Sequence, residues 1–264
     1  MKNSYRMAIA SIIDFIIAII LFFGSTLLFN VCFVNNNQTY QNNIKILTTT
    51  LEETELFIYK DGNLVSREDK LDYYITEFYK EHDYYDFVDK YTSYVEAKAK
   101  SDLFEEIDNQ TYEKEGKEKE LSIFYARELE KVQASIYNSD KAYREALDYN
   151  HTVISIGGFV TVIVSSLIVY LVVPLILKNG QTVGLKIVKL KMVSLDNKKA
   201  SFWQLCIHAW ATTFIILLAW KFYFLSILIN IIVFLVNKEH RSISDFAAVT
   251  LCLQEGEIYE EKRR

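Results

Sequence analysis

The sequence predicts a mostly α-helical membrane protein: a four-helix polytopic bundle plus an extracytoplasmic α-helical hairpin with a short β-hairpin. Three observations predict it. Four apolar segments are long enough, or nearly so, to cross a bilayer; a long acidic stretch separates the first from the second; and basic residues collect in the short flanks. Of 264 residues, 51% are hydrophobic and 24% charged, a mixture unlike an ordinary soluble domain. Residues 35–150 hold 15 Lys and Arg against 26 Asp and Glu, so the insertion is near −11 and the remainder near +6. Two such parts belong in different solvents, so the net charge of −5 does not describe partners, and nothing supports nucleic-acid binding.

The first segment, Ala8 to Val34, contains one charge, Asp14. At 1.5 Å per helical residue it reaches about 40 Å, long enough to span even when tilted. No small-residue cleavage site follows it, so it is expected to remain as an anchor rather than leave as a signal peptide. The second segment, Val153 to Leu177, is uncharged, with Gly157 and Gly158 near its start and Pro174 near its end, residues that membrane helices tolerate. Phe202 to Trp220 and Phe222 to Val236 follow, separated only by Lys221. Each is near the lower length limit, which fits a tight transmembrane hairpin over 202–237 with Lys221 reaching to the interface; one span plus a re-entrant segment is the alternative.

The insertion, residues 35–150, reads in three pieces. Leu56 to Val65 holds two β-prone runs around Asp61-Gly62, a hairpin signal. Ser66 with Asp69 then forms a capping pair, followed by the apolar stripe Leu71, Ile75, Phe78, Tyr85, Val88 and Val95. A second stripe, Leu121, Tyr125, Leu129, Val132, Ile136, Tyr143 and Leu147, steps by threes and fours into the second span, and polar residues 108–120, with Gly116 as the turn, separate the two. The expectation is an antiparallel helical pair, its tyrosines serving as amphipathic packing.

Orientation follows from the basic flanks. Lys2 and Arg6 precede the first span, Lys178 to Lys199 lie in the 178–201 connection, and Lys238 and Arg241 open the 238–264 tail. All are expected to be cytoplasmic in a plasma membrane, with both termini inside and the insertion outside. The abundance of Asn, Ile, Lys and Tyr suggests a bacterial chain. Three scattered cysteines, Cys32, Cys206 and Cys252, imply no disulfide framework.

Three stretches together resemble the RDD family of membrane proteins, named for one arginine and two aspartates. The first runs from Tyr5 to Asp14 and supplies Arg6 and the intramembrane Asp14. The second is Gly180, Gln181, Thr182, Val183, Gly184, Leu185 and Lys186, continuing through Lys191 to Phe202. The third is Arg241-Ser-Ile-Ser-Asp245-Phe-Ala-Ala-Val-Thr250, with Asp245 as the second aspartate. The resemblance covers 1–34 and 152–253. The family has His before its second aspartate and Gly before the closing Thr, where this chain has Ser244 and Val249; an arginine early in the following helix is matched by His208. What the resemblance implies is candidate transport of ligands it does not specify; ions or small solutes are the expectation once Asp14 is considered with it.

An aspartate at the centre of a membrane helix costs about 2.5–3.5 kcal/mol on insertion scales and needs a partner or a proton. Asp14 therefore either couples to an ion or hydrogen-bonds a neighbouring helix to fix packing. His208 should share its membrane level and is a candidate donor, with Lys186, Arg241 and the Arg6 backbone as alternatives. Gly180 and Gly184 lie in a polar connection and read as turn or close-packing positions. Lys186, Lys189 and Lys191 alternate with Leu185, Ile187, Leu190 and Met192 and are expected along the inner interface, facing anionic lipid. No phosphate loop or Cys/His metal spacing is present and the four histidines are dispersed. Neither enzymatic activity, nor a metal, nor a cofactor is expected. The partners expected are the bilayer, an ion or small solute, and a protein bound by the insertion or a second copy. Transport or ion coupling competes with a non-transporting scaffold or sensor whose outside domain binds a partner.

Overall fold

The computed structural model describes residues 2–60, 63–67, 70–73, 75, 77, 87–107, 110–177, 180–221, 225–254 and 256–258. It divides into two compact units, Met1–Phe33 with Ile154–Arg264, and Val34–Val153.

The first unit opens with α1, Lys2–Phe29, which ends in a π-helical turn, Asn30–Val34. Its inward residues, Met7, Ala10, Asp14 and Ala18, recur every three or four positions, while Ile12, Ile16, Ile20, Phe23 and Leu27 are exposed. An apolar surface turned outward around a small and polar interior is the pattern of a helix in lipid. Helix α5, Lys141–Leu167, continues through a π-helical turn, Ile168–Val172, into α6, Val173–Ile176. Helix α8, Phe202–Lys221, and α9, Leu225–Val236, complete the apolar set. Among the described residues, three stretches, Tyr5–Val34, Lys141–Ile176 and Phe202–Ala219, are long and apolar enough to cross a membrane. The described part of α9 has 12 residues, about 18 Å at 1.5 Å per residue, shorter than a bilayer core. Residues 222–224, where the expected hairpin turns, lie outside the described residues.

The connection between α6 and α8 is more than an interfacial basic segment. It forms a short helix, α7, Val183–Ile187, and a strand, β5, Leu190–Ser194. The chain after α9 likewise returns as α10, Ile243–Ala248, and β6, Thr250–Gln254, which pairs antiparallel with β5. The tail is thus part of the fold. Helix α7 packs on α1, and α10 packs on α8. Leu190, Met192, Ala200 and Leu205 form the core beneath the sheet with Met7 and Ala10.

In the second unit, α2, Gln38–Glu53, was not foreseen; Asn37 caps it through the Tyr40 N–H. Strands β1, Phe57–Lys60, and β2, Asn63–Ser66, form the expected hairpin, with Phe57 opposite Ser66; its Asp61-Gly62 turn lies outside the described residues. Ser66 closes a strand instead of opening a helix, and Asp69, Phe78 and Tyr85 also lie outside. Helix α3, Phe87–Lys100, is followed by a second hairpin, β3, Phe104–Ile107, and β4, Gln110–Glu113, the second strand lying within residues 108–120 read as a polar turn. Gly116, at φ 77°, keeps its turn role. Helix α4, Glu118–Ser139, does not run unbroken into α5: Asp140 is extended, and its carboxylate accepts the Tyr143 N–H, a local bond by which Asp prefers caps over helix interiors. Leu71 and Ile75 of the first stripe meet Leu129, Val132, Ile136 and Tyr143 of the second, with Leu51, Leu56 and Phe57 completing the core.

Candidate functional site

Two buried carboxylates organise the first unit, each at the N-terminus of a short helix. Asp14, 3% exposed, reaches from α1 to the start of α7. It accepts the Thr182 hydroxyl hydrogen at 2.5 Å and the Gly184 N–H at 2.8 Å. Thr182 is also the cap of α7, its oxygen accepting the Leu185 N–H. First-turn amides have no intrahelical acceptor and carry the positive end of the backbone dipoles, so a carboxylate there satisfies donors and is itself stabilised. Gly184 makes this approach feasible: a methyl at its Cα would overlap the Ala10 carbonyl and the Asp14 carboxylate.

Asp245, 4% exposed, sits in the first turn of α10. It forms a reciprocal capping box with Ser242, accepting the Ser242 N–H at 3.0 Å and hydroxyl at 2.6 Å. The Thr250 hydroxyl donates to it at 3.3 Å, and His208 Nε2 of α8 lies 3.4 Å away. Burial works against the charged carboxylate, but the His208 imidazole and the two bonds from Ser242 outweigh it and hold Asp245 below the usual carboxylate range. Arg241, also buried, donates to the Thr250 and Asp245 carbonyls at 2.9 and 3.1 Å and stacks on Phe246 at 4.3 Å. Thr212 of α8 donates to Ser244, and Gln204 to the Val249 carbonyl.

Of the candidate donors for Asp14, His208 faces Asp245 instead, and Asp14 takes a hydroxyl and an amide from the 180–186 segment. Depth alone placed Asp14 and His208 at one level; which helix each faces depended on α7 and α10 wedging against different spans. Arg6 is half-buried, and its bond goes to the Tyr5 hydroxyl at 3.3 Å. Gly180, at φ 62°, makes a turn, and Gln181 is buried and donates to the Leu190 carbonyl at 2.8 Å. Lys186 and Lys189 are exposed and Lys191 is half-buried. Sequence reasoning passed over Ser242 and Thr250 as acid partners, although Ser242-x-x-Asp245 carries a legible capping-box spacing. Thr212 and Gln204 gave no such signal. Among the described residues no three His, Cys, Asp or Glu side chains converge to hold a metal.

Among family models, that of the RDD family matches residues 136–249. That part of the chain is similar to the RDD family. With three helices able to cross a bilayer, this is a multi-pass membrane protein in contact with lipid. The RDD match starts at 136 rather than at 152, contains the second motif and nearly all of the third, and leaves out α1. Asp14 therefore enters the RDD region through its bonds to Thr182 and Gly184 rather than through the matched residues. Val249, where the RDD pattern has Gly, is left-handed at φ 56°, ψ 45°, a conformation that glycine adopts without penalty. No match was found among curated proteins or among solved structures.

Proposed function

We propose that the protein is a carrier or ion-coupling protein of a bacterial plasma membrane, with Asp14 as the residue that takes up the coupled proton or cation. The observation that supports this reading most directly is the way Asp14 is held. A nearly inaccessible carboxylate in the first span is bound by one hydroxyl and one amide, and among the described residues no lysine or arginine pairs with it. A buried carboxylate held by dipoles keeps an uncompensated charge that a proton or small cation can neutralise. No catalytic role is assigned. In this reading both termini and the 178–201 and 238–264 segments are cytoplasmic, Lys186 and Lys189 face anionic lipid, and residues 35–150 are outside.

A second reading rests on a different observation: residues Val34–Val153 form a compact unit with a core of their own, which a carrier does not need. The protein would then be a scaffold or sensor whose outside domain binds a partner. Uptake of labelled ions and small solutes into proteoliposomes separates the two. Transport by the wild type that is lost in Asp14→Asn supports coupling, transport intact in the variant removes it, and no uptake by the wild type favours the scaffold. Orientation is tested by outside labelling of single cysteines replacing Gly116 and Lys198, both exposed. Labelling at 116 alone is expected, and labelling at 198 alone would reverse the topology.

A further inference from the structure

Residues 180–194 and 240–254 fold alike, position for position, with a constant offset of 60 residues. Gly180 and His240 are left-handed, at φ 62° and 52°. Thr182 and Ser242 cap helices with φ, ψ of −73°, 172° and −74°, 168°. Each cap oxygen accepts the N–H three residues on, from Leu185 at 3.2 Å and Asp245 at 3.1 Å. The residue before each cap is buried and bonds the first carbonyl of its own strand: Gln181 to Leu190 at 2.8 Å, Arg241 to Thr250 at 2.9 Å. A second left-handed residue stands just before each strand, Lys189 at φ 59° and Val249 at φ 56°, although α7 ends at Ile187 and α10 one equivalent position later, at Ala248. The strands then pair so that Leu190 meets Gln254, Ser194 meets Thr250, and Met192 meets its own equivalent, Cys252. An antiparallel pair centred on equivalent residues has a local two-fold axis through that pair.

The likeness extends to the helices. The apolar helix before each element ends at an equivalent position, Ile176 and Val236. Each element packs against the apolar helix two before it, α7 on α1 and α10 on α8. On α1, Asp14 binds the residue two past the cap, Gly184, and the Ala10 carbonyl, one turn earlier, abuts the same glycine. On α8, Thr212 binds the residue two past the cap, Ser244, and His208, one turn earlier, faces Asp245. Asp14 thus corresponds to Thr212, and Leu185 to Asp245. None of the aligned residues from 180 to 194 is identical to its counterpart, so sequence alone conceals the relation.

We infer that the membrane unit is a tandem repeat of one module, two apolar helices followed by a helix–strand clasp, arranged about a pseudo-two-fold axis at Met192–Cys252, and that one carboxylate holds each clasp. In the first module the carboxylate comes from the spanning helix, as Asp14; in the second it comes from the clasp itself, as Asp245. The long insertion lies between the two helices of the first module, where the second has only residues 222–224. Repeats about an axis along the membrane normal are a known membrane architecture, with the functional centre where the halves meet. The Cys252 thiol lies at that meeting place, its ionisation suppressed by burial and by the charges of Asp245 and Asp14.

If the modules are equivalent, a carboxylate can be moved between its two positions. The full chain, with Cys32 and Cys206 replaced by Ser, is labelled with maleimide at native Cys252, and each rate is divided by that variant's thiolate fraction, taken from the pH dependence of its labelling, so that access alone is compared. Asp245→Leu should speed labelling by about tenfold or more through clasp opening, and Thr212→Asp combined with Asp245→Leu, which copies the first module's arrangement, should return it to near the wild-type rate. Asp14→Thr and Asp14→Thr with Leu185→Asp form the reciprocal pair and should behave in the same way. Rescue in either pair supports the repeat, and Thr212→Asp alone serves as the control. Double variants that label as fast as their single variants in both pairs, or single variants that leave labelling unchanged, would overturn it. Because the readout is thiol access, its outcome is separate from whether the protein transports anything.

Discussion

Thr182 donates its hydroxyl hydrogen to Asp14 across 2.5 Å, and the same oxygen accepts the Leu185 N–H that starts α7. One hydroxyl therefore joins the first span to the helix that leads into the β5–β6 sheet.

Removing the acceptor should loosen that joint. Asp14→Asn keeps one carbonyl oxygen but turns an NH2 group toward the second donor, and leaving a buried donor unpaired costs about 1–3 kcal/mol. Asp14→Leu strands both donors and should cost more. Thermal unfolding in detergent is expected to rank wild type above Asn above Leu, and equal midpoints for the three proteins would contradict the capping role.

Val249→Gly should stabilise the protein. A left-handed L-residue costs roughly 1–2 kcal/mol, and Val249 is β-branched and about half exposed, at 49%, so little packing is lost. Against glycine's extra chain entropy, a net gain of about 0.5–1 kcal/mol is expected. Gly at the neighbouring Ala248, which is helical and buried, should destabilise instead. A loss of melting temperature in Val249→Gly would show that its backbone is relaxed.

Acid should release the second clasp. Asp245 is held below its ordinary range in the folded chain, and an unfolded aspartate titrates near 3.9. Its stabilisation is therefore complete above about pH 4–5 and is lost as pH falls through the folded value, because protonation removes the charge and turns one oxygen into a donor, so that the group no longer accepts from Ser242, Thr250 and His208 together. Pepsin cleavage near residues 241–254 should rise steeply toward low pH in the wild type. Asp245→Asn should begin looser at pH 5 and respond less to further acidification. An identical acid profile for the two would remove Asp245 from the account.

The insertion should fold only when cut at its structural limits. Leu51, Leu56 and Phe57 share a core with Leu129, Val132 and Ile136, and Asn43 donates to Asn150 at 3.2 Å. A fragment spanning 34–153 is expected to give a helical circular dichroism spectrum with a cooperative melt. One spanning 66–150 lacks α2 and β1 and should melt broadly. A cooperative melt in the shorter fragment would show α2 to be peripheral.

The sequence by itself determined that this chain enters a membrane, where its long apolar runs lie, and that its acidic middle is a separate part, because transfer of apolar and charged groups depends on composition over a window. It also marked Asp14, Thr182, Gly184, Arg241 and Asp245 through short motifs. Length and stripe did not reveal α2, the β3–β4 hairpin or the break at Asp140, where local side-chain bonds and tertiary contacts override weak propensities. Only the tertiary structure decided the partners of the two aspartates. Depth along a helix follows from 1.5 Å per residue, but facing depends on which neighbour packs where. Here two short helices inserted against different spans give Asp14 to Thr182 and Gly184, and His208 to Asp245. The repeat was hidden for a related reason. Its clasps agree in backbone angles and hydrogen bonds, which many side chains can satisfy, so unlike residues such as Gln181 and Arg241 perform the same task on the Leu190 and Thr250 carbonyls.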